Sequence, residues 1–288
     1  MLKMLKSSWV YLLWFGIYFF LAWLILGANG DSFTVVLITY AISIAVALSP
    51  LGEWILRLLE GARPIKTQAE REYLMPIFEE VYEEAQNKHS NLSQNINIYI
   101  ADSMEVNAYA MGRTTIAVTQ GALKTFTPDQ LRGVLAHEFG HIAHGHTKAL
   151  LLNVVGNGIF TIAVMIFRLV ITILQLFASI FNTGIIDVIL AFFKFLLNTA
   201  YIIFMYLGQI ILAINSRQNE YQADSVALQL GYGEELVNAL YLLQEININQ
   251  RPSLWEKLKS SHPHIAERIK RLENILNDGE ELEITEAI

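Results

Sequence analysis

Apolar residues gather in two blocks, and between them polar and apolar positions alternate. Residues 7–51 hold one charged residue, Asp31. The turn-like run Gly27-Ala28-Asn29-Gly30-Asp31 divides them into a stretch from about Trp9 to Leu26 and another from about Phe33 to Leu51. Each approaches the ~20 apolar residues needed to cross a bilayer core. A cleaved signal peptide is the plain alternative for the first stretch, helped by Lys3 and Lys6. Its apolar run exceeds the usual ~7–15 residues, however, and a second follows at once. The other block, 149–214, carries Arg168, Asp187 and Lys194 as its charged residues and is too long for one span. A break at Asn182-Thr183-Gly184 predicts two long helices. The three charges are costly against lipid and are expected to face helix partners, a polar cavity or headgroups.

Four spans follow, and basic residues near them set the orientation. Lys3 and Lys6 precede the first span, Arg57, Arg63 and Lys66 follow the second, and Arg217 follows the fourth. Both termini and the polar segments are therefore expected in the cytoplasm. The chain divides into a hairpin of spans (7–51), a first polar segment (52–148), a second hairpin (149–214) and a second polar segment (215–288). In the polar segments, Thr67–Asn87 reads as an amphipathic helix, with Leu74, Ile77, Phe78, Val81, Tyr82 and Ala85 at helical spacing. Residues 95–119 read as strands, since Ile96, Ile98 and Ile100 alternate and Thr114–Thr119 is rich in β-branched residues. Glu234–Ile246 and His264–Leu276 read as helices, and Asp278–Glu286 as a solvated acidic tail.

Composition agrees with this division. The 288 residues are 53% hydrophobic and only 16% charged, with mean hydropathy +0.38. Outside the two apolar blocks about a quarter of the residues are charged, an ordinary soluble value. A formal net charge of -7 lacks the basic footprint of a nucleic-acid binder. The absence of cysteine excludes disulfides and thiolate metal ligands, and it fits a reducing compartment.

The chemistry concentrates in the run from Thr127 to His141, which ends His137-Glu138-Phe139-Gly140-His141. Thr127 suits an N-cap, Pro128 the first helical position and Gln130 the third residue of a capping box. His137 and His141 then lie in the helix interior, about 40° apart around the axis and about 6 Å apart along it. Both imidazoles can reach one metal ion. Glu138 projects about 100° away, placed to act as a general base toward water rather than as a ligand. This is the H-E-x-x-H arrangement of zinc peptidases. A His-rich solvent-facing helix is the bland alternative, because His144 and His146 follow closely.

After the second apolar block comes Glu220-Tyr221-Gln222-Ala223-Asp224. Glu220 and Asp224 share one helix face, as a carboxylate ligand and a carboxylate bonding the far nitrogen of a ligand histidine would. An exposed acidic pair near a helix start is the alternative. A two-span hairpin would return the chain to the side it left, allowing Glu220 to meet His141. His144 is a substitute third ligand, although it would fill the position catalysis leaves open. His146 and His89 read as surface residues.

These residues carry a resemblance. The His-Glu-Phe-Gly-His run, the later Glu-Tyr-Gln-Ala-Asp run and the two leading spans resemble the HtpX-type integral-membrane zinc metalloproteases, gluzincins related to the CAAX prenyl proteases. The resemblance covers nearly the whole chain. It implies a mainly α integral membrane protein with four transmembrane helices and a cytoplasmic α+β zincin-like domain containing a small sheet. It implies one Zn2+ per chain on His137, His141 and Glu220, with Glu138 as catalytic base and Asp224 orienting a ligand. Asn107-Ala108-Tyr109-Ala110-Met111-Gly112 resembles the family's substrate-pairing edge strand, so Asn107, Ala108 and Tyr109 are expected to bind substrate; an ordinary hairpin with Gly112 at its turn is equally compatible. Ser261-His262-Pro263-His264 resembles the family's His-Pro motif. There His262 would stabilise the oxyanion, with Arg268 supporting the substrate cleft, and His264 departs from the apolar residue or proline more familiar after the proline. The implied activity is quality-control cleavage of misfolded or damaged membrane proteins under stress, at a bacterial cell membrane. A CAAX-type prenyl protease and a non-catalytic metal-containing scaffold are the rivals.

Overall fold

The computed structural model describes residues 29–152, 158–180, 184–247 and 265–277, together with 16, 17, 19, 20 and 23. In chain order the elements are α1 (Gly30–Ala47), α2 (Pro50–Leu59), β1 (Ala62–Arg63), α3 (Gln68–Lys88), β2 (Asn97–Ala101), β3 (Ala108–Met111) and β4 (Thr115–Thr119). Then come α4 (Gln120–Thr125), α5 (Pro128–His144), α6 (His146–Leu151), α7 (Gly158–Ile180), α8 (Gly184–Leu230), α9 (Gly233–Asn247) and α10 (Ile265–Asn277). The chain forms two units, one of Met1–Ala45 with Asn153–Leu212, the other of Val46–Leu152 with Ala213–Ile288.

The first unit holds most of α1, all of α7 and the leading part of α8. Trp23 Nε1 donates to the Asn29 carbonyl at 2.9 Å, and Phe19 meets Phe33 edge-on at 5.1 Å, fixing the chain before α1. Lys194 of α8 donates to Thr172 Oγ1 of α7 at 3.0 Å, so this charge has a helix partner. The side chains of Arg168 and Asp187 lie outside the described residues. Among the described residues no single helix is long and apolar enough to cross a membrane, while Phe33–Ala47 and Pro50–Leu59, bent by 74°, meet that test as a pair. The expected first span falls mostly outside the described residues, as does the acidic tail.

The second unit is built on a mixed four-stranded sheet in the order β1-β2-β4-β3. β2 and β4 run parallel, with Ile98 opposite Ile116 and Ile100 opposite Val118. β1 and β3 close the edges antiparallel. The amphipathic helix expected over 67–87 is α3, and its Thr67–Glu70 capping box satisfies backbone donors at the helix start. Its apolar stripe of Leu74, Ile77, Phe78, Val81 and Ala85 is buried against the sheet and α5. Phe78, Tyr82 and Phe139 stack within 5.4–5.7 Å of one another, joining α3 to α5. α9 crosses α5 so closely that a Cβ on Gly133 would meet the Leu236 backbone nitrogen at 2.3 Å.

One buried charge in this unit was not singled out by sequence pattern. Glu53 of α2 is 7% exposed and reaches the β3–β4 turn. Its carboxylate accepts from the Arg113 backbone N–H (2.6 Å), Thr114 Oγ1 (2.5 Å) and Thr115 Oγ1 (3.2 Å). Gly112 at that turn has φ +68, and a Cβ there would sit 2.3 Å from the Glu53 carboxyl carbon. The turn therefore needs glycine for its backbone conformation and for the carboxylate beneath it. In sequence Glu53 looks like any acid in a helix's first turn, and only the long-range fold gives it partners. Glu53→Ala strands three donors, so urea unfolding of the detergent-solubilised protein is expected to show a loss of about 2–3 kcal/mol. Glu60→Ala, at an exposed position, is expected to stay within ~0.5 kcal/mol of wild type.

Candidate metal centre

The helix that carries the paired histidines is delimited at both ends by local chemistry. Thr127 Oγ1 accepts the Gln130 N–H at 3.2 Å while Gln130 Oε1 accepts the Thr127 N–H at 3.0 Å, and Pro128 opens the first turn. At the other end Gly145 adopts φ +71 and its N–H caps the His141 and Ile142 carbonyls. Between these ends, His137 and His141 bring their Nε2 atoms to 3.1 Å.

Glu220 arrives from α8. Its Oε2 lies 3.4 Å from His137 Nε2 and its Oε1 lies 3.6 Å from His141 Nε2. Donors bound tetrahedrally at ~2.0–2.1 Å from one zinc ion would stand ~3.3 Å apart, so these separations suit a shared cation. The two helices come this close because Gly140 faces Ala223: a Cβ on Gly140 would lie 2.7 Å from Ala223 Cα. The alternative of an exposed acidic pair near a helix start does not hold, because α8 runs unbroken from Gly184 to Leu230 and Glu220 is buried.

The surroundings are charged and dry. Asp224 Oδ1 stands 2.9 Å from His137 Nδ1. Arg268 of α10 forks onto Asp224, with Nε to Oδ2 at 2.9 Å and Nη2 to Oδ1 at 2.5 Å, and its Nη1 lies 3.0 Å from Glu220 Oε2. Glu138, Glu220, Asp224 and Arg268 are each at most 7% exposed. Three carboxylates thus share a water-poor space with one guanidinium, a surplus of two negative charges that a divalent cation would balance. Protonation equilibria carry the same imprint. Burial and Arg268 oppose a charge on His137, yet Asp224 and Glu220 outweigh them and lift its pKa to about 9. Burial and the neighbouring His137 push His141 well below its usual value. Burial raises Asp224, but Arg268 outweighs it and keeps its carboxyl below the ordinary range.

Glu138 turns from the histidines toward the sheet, and its donor atoms lie within 4.8 Å of those of His137 and His141. Its Oε2 accepts the Ala110 backbone N–H at 2.7 Å. That N–H is available because Asn107 pairs with Thr119 through the ladder. Alternate residues Tyr109 and Met111 then face β4, and the backbone groups of Ala108 and Ala110 point off the edge. Asn107 is exposed, Ala108 buried and Tyr109 half-buried, and burial raises the Tyr109 hydroxyl to about 12.

Some expectations need correction. Arg268, expected to support the substrate cleft, is 7% exposed and engaged by Asp224 and Glu220, so any such support acts through these carboxylates. His146 is not a free surface residue, because it is half-buried and bonded on both ring nitrogens. His144 is exposed and bonds the Gly140 carbonyl at 3.1 Å, away from the donor cluster. His262 and His264 lie outside the described residues.

Residues 68–276 match peptidase family M48. Protease HtpX of Chromohalobacter salexigens is 28% identical over 274 residues, covering 86% of this chain and 88% of that protein. A protease HtpX homolog of Bacillus pumilus is 27% identical over 283 residues, with coverages of 86% and 88%. The crystal structure of S. mikatae Ste24p shares the fold, at a TM-score of 0.54 and 22% identity. The match takes in 94% of this chain and 65% of that longer one.

Gly140→Val would wedge α5 from α8 and part Glu220 from the histidines. Metal content after loading and dialysis is expected to fall well below wild type, and thermal unfolding to show a loss of about 1–3 kcal/mol.

Proposed function

This chain belongs to peptidase family M48, and from that premise we propose that it is an HtpX-type, zinc-dependent endopeptidase. Its substrates are unfolded or damaged membrane-associated polypeptides, cleaved at the cytoplasmic face of a bacterial cell membrane in quality control under stress. The observation that carries the reading is the meeting of His137, His141 and Glu220 within 3.1–3.6 Å, with Glu138 beside them and bonded to the edge strand β3.

His137, His141 and Glu220 would hold the metal. Zinc at that site would supply Lewis acidity toward the scissile carbonyl and make water easier to deprotonate. Glu138 accepts the proton of the attacking water and passes it to the leaving amine. Asp224 fixes the His137 ring through Nδ1, and Arg268 holds Asp224 and Glu220 against their mutual repulsion. β3, at the sheet edge, pairs with an extended substrate through main-chain hydrogen bonds, with Asn107, Ala108 and Tyr109 along it. His262 is assigned to the oxyanion. No covalent acyl-enzyme forms.

Four spans anchor the enzyme in this reading. Support comes from the two apolar blocks and from the large apolar side chains that α7 and α8 expose, among them Met165, Leu169, Phe177, Val188 and Phe192. Surface of that kind is covered by lipid or by partners.

The test uses the full chain in detergent with zinc and an unfolded casein-like substrate. Wild type is expected to cleave it, and Glu138→Ala to lose about 10²–10⁴-fold in rate while still binding metal. Equal proteolysis by the two would overturn the mechanism. Cleavage of a prenylated C-terminal peptide with the unmodified substrate left intact would replace this assignment with a prenyl protease.

A further inference from the structure

We propose that His146, anchored by Gln222, is a positioning residue that fixes the ring of His141 for metal binding; the inference rests on the metal reading above. His146 follows the left-handed Gly145 that ends α5, and that turn swings its ring back to 5.2 Å from the ring of His141. His141 Nδ1 and His146 Nδ1 are 3.0 Å apart, and His146 Nε2 is 2.8 Å from Gln222 Oε1.

Proton placement along this chain is forced. His141 Nε2 faces Glu220 and His137, so as a neutral ligand His141 carries its proton on Nδ1. His146 Nδ1 must then accept, which puts its own proton on Nε2, where Gln222 Oε1 is the acceptor. Every donor meets an acceptor and no charge is added. His146 is held from two further directions: the αL residue before it fixes its backbone, and Thr147 after it donates to the Gly112 carbonyl on the β3–β4 turn.

A symmetry of supply emerges. Gln222 lies between Glu220 and Asp224, so one segment of α8 supplies a ligand and the far-nitrogen support of both histidines. His137 is supported directly by the Asp224 carboxylate, and His141 through the neutral His146–Gln222 pair. Partners of this kind fix the tautomer and ring orientation of a metal-ligating histidine, and their removal typically costs about 10–100-fold in metal affinity.

The experiment measures zinc affinity of the full chain by competition with a chromophoric chelator, alongside thermal unfolding of the metal-free protein. His146→Leu is expected to weaken zinc binding about 10–100-fold with little change in metal-free melting temperature. His146→Asn, which keeps an acceptor near the Nδ1 position, is expected to restore most of the affinity. Gln222→Leu is expected to weaken binding in the same direction, and the double variant His146→Leu/Gln222→Leu to be no weaker than His146→Leu alone, as members of one relay behave. Wild-type affinity in His146→Leu would overturn the positioning role alone. So would additive losses in the double variant, or equal losses in His146→Leu and His146→Asn with a fall in metal-free stability. If wild type binds no zinc, the metal reading fails and this inference with it.

Discussion

Three carboxylates buried beside one guanidinium are the constraint on which the second unit depends. Glu138, Glu220 and Asp224 lose most of their hydration in the fold, and Arg268 compensates one charge. Burying unpaired charge costs several kcal/mol per ion, so such a cluster persists only when its geometry satisfies each group. Arg268 meets Asp224 with two parallel bonds and still reaches Glu220, a fork that lysine could not provide. The remaining negative charge is what a divalent cation would balance. The donor set thus suits a divalent cation, and the surrounding packing holds its side chains in place.

Packing does this through five consecutive positions of α5. His137 and His141 face Glu220, Glu138 turns to the Ala110 N–H, Phe139 enters the stack with Phe78 and Tyr82, and Gly140 admits α8. A helix used on every side cannot shift along any one contact without losing another. The β3 edge is held with similar redundancy. Glu53 grips its turn from α2, Thr147 takes the Gly112 carbonyl from α6, and Glu138 binds its outward N–H. The strand proposed to pair with substrate and the carboxylate proposed as base are therefore one rigid assembly, as preorganised catalysis requires.

Local chemistry was legible in the sequence, and long-range chemistry was less so. The Thr127–Gln130 capping box, the four-residue histidine spacing, the apolar stripe of α3 and the alternation in β2 each depend on neighbours within a turn or a strand, and pattern reads them directly. Glu53 and His146 resisted for the opposite reason. Their partners are sixty and seventy-six residues away or reached through a left-handed glycine, and no periodicity connects Glu53 to the Arg113 N–H or His146 to Gln222. Arg268 was placed in the right neighbourhood without its carboxylate partners, since sequence gives no account of whether a cation faces substrate or a buried carboxylate.

The acidic pair in α8 shows how a local ambiguity is resolved by the element around it. Near a helix start, Glu220 and Asp224 could be ordinary exposed acids stabilised by the helix dipole. Inside a helix that continues unbroken on both sides, that stabilisation is gone. Like charges four residues apart then repel by a few tenths of a kcal/mol even when solvated, and burial to 2% exposure for each multiplies the cost. Such a pair survives only if cationic groups face it, and Arg268 and His137, whose pKa the two carboxylates lift, do. An acidic i,i+4 pair is thus weak evidence for a site at a helix start and much stronger evidence in a helix interior. The continuity of α8 therefore carries functional information as well as architecture.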